Sequence, residues 1–178
     1  DKGMDYKGYN IAVHEFGHNV EQTISLYDVD HYMMSGVPNT AFTEALAFLF
    51  QSRDLFLLDI NQSSQDEEKI SNLSAAWSLM EIMGVSMVEM KVWKWLYENP
   101  EATPASLKEA TLKYSMEVWN KYFAPVIGVR DSPILAIYSH MVEVPLYLPN
   151  YAYGQIIENQ IENYIRDKNF SEEVDRIF

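Results

Sequence analysis

The chain has 178 residues, 48% apolar and 22% charged, a balance that fits one globular domain with a real core and excludes a disordered chain. Its formal charge of −13 argues against a nucleic-acid partner, which wants a basic face, and no apolar run is long enough to span a membrane. The absence of cysteine excludes disulfides and thiolate zinc ligands, and leaves the compartment open.

Almost every long segment reads as helix. The first runs from about Tyr9 to Ser25, and its apolar residues Ile11, Val13, Phe16 and Val20 predict a buried element. A loop follows from Asp28 to Pro38, punctuated by Gly36 and Pro38. A second helix is expected over Asn39 to Leu58, with Asn39 or Thr40 as its cap. Asn61 to Gln65 is a polar break. Asp66 to Glu98 then reads as one long helix, with Leu73, Trp77, Met80, Met83, Met87, Met90 and Trp93 at spacings of three and four as its core stripe. Gly84 offers that helix a place to bend, and Pro100 ends it. Thr103 caps the next helix, with Pro104 at its first position, and it runs to about Phe123. Pro125 to Arg130 is a connection. Ser132 and Pro133 start a short helix through about Val144, and Pro145 and Pro149 break the chain around Tyr147. A last long helix covers Asn150 to Lys168, and Ser171 caps a terminal turn. No β-hairpin signal and no internal repeat occurs, so the expected architecture is all-α.

The first helix carries His14-Glu15-Phe16-Gly17-His18. Residues four apart on a helix lie about 40° from each other around its axis, so both imidazoles can reach one ion. The glutamate between them can touch a water held on that ion. This is the HExxH pattern of zinc hydrolases, in which two histidines bind Zn²⁺ and the glutamate is the general base. Gly17 leaves room for another backbone to approach closely. A catalytic zinc needs three protein ligands and one open position. Glu21 and Ile24 stand where the metzincin pattern would put glycine and a third histidine, which excludes that solution. Glu44 fits best as the third ligand. It sits within the apolar run Ala41-Phe42-Thr43-Glu44-Ala45-Leu46-Ala47-Phe48, where an acid needs a charge partner. Glu21, Asp28, Asp30 and His31 are rival ligands.

Far along the chain, His140 precedes Pro145-Leu146-Tyr147-Leu148-Pro149-Asn150-Tyr151. Zinc peptidases need a donor opposite the metal for the oxyanion of the tetrahedral intermediate, and tyrosine and histidine supply it. In a chain with 12 tyrosines, packing is the commoner role for such residues.

Together these segments resemble the catalytic C-terminal part of the thimet oligopeptidase and oligoendopeptidase F family of gluzincins, over about Tyr9 to Ile165. His14-Glu15-Phe16-Gly17-His18 matches the family's zinc helix, and Glu44 falls where the family places its third ligand. The late segment resembles a histidine, a Pro-Phe-Tyr-Tyr-type turn and a further tyrosine. The resemblance implies a zincin-like multi-helix catalytic domain, one Zn²⁺ ion and a peptide substrate. It implies that His140 and Tyr151, with Tyr147, contact substrate and the tetrahedral intermediate. The chain departs from the family at Asn19-Val20-Glu21, at Ala47 to Gln51 and at Leu148, so it is a distant member. Family members carry a large helical N-terminal portion that walls a substrate channel. The chain, a single domain over 1–178, is therefore expected to be the C-terminal piece of a longer peptidase, with that missing N-terminal portion as its partner and neither nucleic acid nor membrane. Three other readings stand beside the oligopeptidase. They are an aminopeptidase-type gluzincin, a non-catalytic peptide-binding scaffold of the same fold, and a metal-free helix pair.

Overall fold

The computed structural model of the chain describes residues 3–31, 33, 39–60, 65–138 and 140–178. Their regular structure is all helix, with no strand among the described residues, so the all-α expectation holds. Gly36 and Pro38 of the expected loop and Asn61 of the polar break lie outside the described residues. No helix among the described residues is long and apolar enough to cross a membrane. The chain divides into two compact units, Asp1–Leu73 with Tyr153–Phe178, and Ser74–Ala152.

In the first unit, α1 (Tyr6–Tyr27) starts at Asp5, whose carboxylate accepts from the Gly8 N–H. Its partner α2 (Thr40–Gln51) starts at Asn39, whose side chain accepts from the Phe42 N–H. α1 buries only one stripe, Val13, Gly17, Glu21 and Ser25, at strict four-residue spacing. The expected buried set of Ile11, Val13, Phe16 and Val20 is corrected here, since only Val13 of them is buried, while Ile11 is 47% and Phe16 54% exposed. Gly17 is where the two helices touch. A Cβ on it would stand 2.7 Å from the Ala47 Cα, closer than real Cβ contacts come, so only glycine fits.

α2 ends seven residues sooner than its apolar pattern predicts. Ser52 Oγ and Arg53 Nη1 both donate to the Leu49 carbonyl at 2.9 and 2.8 Å, and the chain restarts as the short α3 (Asp54–Leu57). Leu46 and Leu49 of α2 are fully buried with Ile161, Ile165 and Val174. Each such leucine contributes roughly 1.5–3 kcal/mol of burial. Ile161 and Ile165 come from α8 (Leu148–Ile165) and Val174 from α9 (Phe170–Ile177). The terminal helix is capped by Asn169, which accepts from the Ser171 and Glu172 N–H groups, and not by Ser171.

Arg53 joins these pieces of the first unit, bonding Glu162 at 2.8 Å and lying 4.1 Å over the Phe170 ring. Glu158, one turn back on α8, is pushed up to about 7, chiefly by burial, then by the like charge of Glu162, with Arg53 pulling it down. A carboxyl raised in the folded state holds its proton longer than in the unfolded chain. Its contribution is therefore undiminished below about pH 4.5 and is lost as pH rises through 7. Glu158→Gln is expected to stabilise the protein by about 2 kcal/mol at pH 8 and to change nothing at pH 4, as read by urea unfolding at the two pH values.

In the second unit the core stripe belongs to the C-terminal part of α4 (Gln65–Glu98). Its buried apolar residues are Ile82, Val85, Val88 and Val92. This differs from the expected stripe. Leu73 is 71% exposed, and Met83 and Met90 also face outward, while Met80 and Met87 pack at the edge of the core. α4 is apolar on several faces at three-and-four spacing, and the true stripe also carries Ser86 and Glu89, which disguise it. α4 runs unbroken through Gly84, whose missing side chain makes room for the Phe123 ring, 2.6 Å from where a Cβ would sit.

α5 (Pro104–Val118) has the expected Thr103 cap, in a reciprocal capping box with Ser106. The helix does not end at Phe123. It widens into a π-helical turn, Trp119–Phe123, and continues as α6 (Ala124–Ile127). Pro125 explains the widening, since it has no N–H to give and its ring crowds the carbonyl four residues back. Gly128, at φ 81°, then stops the helix. The expected helix from Ser132 is a 3-10 turn, Ile134–Ala136, followed by the short α7 (His140–Glu143).

Candidate metal centre

The candidate site lies in the first unit, where α1 supplies His14 and His18 and α2 supplies Glu44. One donor atom from each of the three lies within 4.8 Å of the others. Glu44 is 1% exposed, and its Oε2 stands 3.3 Å from His14 Nε2 and 3.7 Å from His18 Nε2. Donor atoms about 2.0–2.2 Å from a tetrahedral ion stand roughly 3.3–3.6 Å from one another. The two distances from Glu44, 3.3 and 3.7 Å, lie close to such an edge, and the whole group lies within 4.8 Å.

Proton accounting points the same way. His14 Nδ1 is 3.0 Å from the Gln51 side-chain oxygen, and its Nε2 faces the Glu44 carboxylate. A neutral imidazole has one N–H, so His14 itself can donate to only one of the two acceptors it faces. A second proton or a metal cation resolves the mismatch. At His18 the imidazolium is disfavoured, because burial lowers its pKa first and foremost, Glu44 raises it, and His14 lowers it again. A cation shared by all three donors satisfies each at once.

The surroundings hold these groups in place. The His14 ring lies edge-on to His18 and to Phe48, with centroids 4.9 Å away in both cases. Gly154 of α8 seats against Glu44, where a Cβ would come within 2.6 Å of the Glu44 Cβ. Glu15, the expected base, is exposed on α1 between the two histidines. Of the rival ligands, Asp28, Asp30 and His31 are exposed and belong to no donor group among the described residues. Glu21 is buried on α1, with Oε2 lacking a hydrogen-bond partner. Burial pushes its carboxyl up while Ser25 pulls it down, and it is not a member of the donor group.

Sequence reasoning missed what lies behind His14. Gln51 Nε2 donates to Asn10 Oδ1 at 2.6 Å, and Asn10 Nδ2 donates to Asp54 Oδ2 at 2.7 Å. The Tyr6 hydroxyl donates to the same Oδ2 at 2.7 Å, which raises its own pKa. One signal was readable in the chain, since Tyr6, Asn10, His14 and His18 recur at four-residue spacing and so share a face of α1.

His140, Tyr147 and Tyr151 belong to the second unit, which gathers them into one cluster. The His140 ring is 6.1 Å from Tyr151, and Tyr147 is 5.3 Å from Tyr151, centroid to centroid. Trp93 Nε1 donates to the Met141 carbonyl at 2.9 Å and ties α7 to α4. Another missed residue shapes this turn. Glu89 is fully buried and accepts from the Leu146 N–H at 2.9 Å and the Leu148 N–H at 3.1 Å. Burial raises its carboxyl, and the backbone donors at Leu146, Leu148 and Tyr147 pull it back. Leu146, held at φ 60°, is a strained leucine that these bonds keep in place.

Comparison of the chain with family models, with curated proteins and with solved structures finds no match. The class is therefore defined by the molecule alone, as an all-helical chain with a candidate two-histidine, one-glutamate metal centre.

Proposed function

We propose that the chain is a zinc-dependent metallopeptidase, the catalytic part of an oligopeptidase of the thimet oligopeptidase and oligoendopeptidase F type. One observation carries the reading. A buried carboxylate oxygen stands between two imidazole nitrogens at 3.3 and 3.7 Å, on helices whose sequence is HExxH followed by an acid in an apolar run. Bound there, Zn²⁺ would supply Lewis-acid chemistry, activating a water and polarising the scissile carbonyl. His14, His18 and Glu44 would hold it and leave one position open. Glu15 takes the proton from the attacking water and returns it to the leaving amine. His140, Tyr147 and Tyr151 enter through the family resemblance, as donors to the oxyanion of the tetrahedral intermediate.

The test is metal content together with peptide hydrolysis. The purified chain is expected to hold one zinc per molecule. It is expected to cleave a library of N-terminally blocked oligopeptides, to lose that cleavage on chelation and to regain it with added zinc. Cleavage restricted to free N-termini would move the assignment to an aminopeptidase. Bound zinc with no cleavage of any peptide would leave a binding module, and no zinc affinity would remove the metallopeptidase altogether.

A further inference from the structure

We propose that Asp54 is a positioning residue for the metal centre. It acts through a one-way relay of amides, Asp54–Asn10–Gln51, that fixes which nitrogen of His14 is offered to the ion. The inference about zinc rests on the metallopeptidase reading, whereas the inference about the proton on His14 stands without it.

The direction of the relay follows from its buried end. A carboxylate only accepts. Asp54 Oδ1 takes the Leu55 N–H at 2.6 Å, and Oδ2 takes the Tyr6 hydroxyl and Asn10 Nδ2. Asn10 must therefore turn its NH₂ to Asp54 and its oxygen to Gln51. Gln51 must turn its NH₂ to Asn10, at 2.6 Å, and its oxygen to His14 Nδ1, at 3.0 Å. Gln51 thereby always offers His14 Nδ1 an acceptor, in competition with the Glu44 carboxylate that faces Nε2 at 3.3 Å, and the relay is what draws the single proton to Nδ1 and leaves the lone pair on Nε2. An outer acid commonly orients a metal-bound histidine by direct contact. Here the acid works from two side chains away, and the break between α2 and α3 makes this possible by turning both Gln51 and Asp54 toward α1.

Asp54→Asn inverts the relay. The asparagine oxygen is claimed by the Leu55 N–H, so its NH₂ points at Asn10. Asn10 and Gln51 then flip in turn, and Gln51 presents a donor to His14 Nδ1. That forces the imidazole proton onto Nε2, where the ion must bind. Gln51→Glu insulates the centre, because a carboxylate at 51 accepts from His14 whichever way Asn10 points.

Three measurements test this on the wild type, Asp54→Asn, Gln51→Glu and the double variant. A long-range ¹H–¹⁵N spectrum of the metal-free protein reads the ring nitrogens of His14. Chelator competition reads zinc affinity, and thermal unfolding runs alongside. The wild type is expected to carry the His14 proton on Nδ1, and Asp54→Asn on Nε2 with a zinc affinity about 10–100-fold weaker. The double variant is expected to regain both the Nδ1 proton and the affinity, while keeping whatever stability Asp54→Asn lost. A wild-type proton on Nε2 overturns the relay. So does an Asp54→Asn variant unchanged in both readouts, or a double variant as weak as Asp54→Asn, which would make Asp54 merely structural. Should the wild type bind no zinc, the metallopeptidase reading fails, and the position of the His14 proton still decides the relay.

Discussion

Glu44→Gln is expected to weaken zinc binding by more than about 100-fold, beyond the range that losing an outer-shell partner produces. The carboxylate is the charged member of the trio, 1% exposed, and it faces both imidazoles. An amide of the same shape keeps the packing against Gly154 but offers the ion a neutral oxygen. Stability is expected to cross over. A ligand that binds only the folded state adds about 4 kcal/mol at a thousand times its dissociation constant, and the variant loses that gain. Without metal the order reverses. The wild type there buries a carboxylate against two imidazole nitrogens, of which His18 resists protonation. The glutamine side chain has both a donor and an acceptor and removes the buried charge, so the metal-free variant is expected to be at least as stable as the metal-free wild type. Thermal unfolding with and without zinc measures both orders. A variant that still gains the full zinc-dependent shift would remove Glu44 from the centre.

Glu44 was legible because an acid inside an apolar helix needs a partner, and the two histidines were legible because a four-residue spacing has one geometric meaning on a helix. Other features depended on contacts that periodicity does not carry. The end of α2 is set by Ser52 and Arg53 turning back on the Leu49 carbonyl, and both residue types are ordinary in helices. The stripe of α4 was misplaced because methionine and tryptophan stood on its flank while serine and glutamate sat inside. Glu89 reads as one more helix acid until the Leu146–Leu148 turn is folded over it. Pro125 announced a helix end, and the chain instead absorbed it in a wider turn. Gln51 and Asp54 lay within the predicted second helix. Only the break between them brings both to bear on α1.

Glu15→Gln is expected to keep zinc within a few-fold of wild-type affinity and to lower kcat by about 10²–10⁴ on an internally quenched peptide, the range for losing a general base. The contrast with Glu44 follows from where the two acids stand. Glu44 is buried between the imidazoles, whereas Glu15 is exposed and outside the donor group. Glutamine at 15 retains the helix propensity and size of glutamate, so α1, its Asp5 cap and its four-residue stripe are undisturbed. What it loses is the ability to take a proton from water and return it to an amine. A fall in kcat with KM and zinc content held is the signature of an interaction made only in the transition state. Full activity in this variant would show that another group is the base. Zinc lost along with activity would show that Glu15 acts on the ligands and not on the reaction. Either result would leave the His14, His18 and Glu44 trio as a candidate metal site without an assigned base.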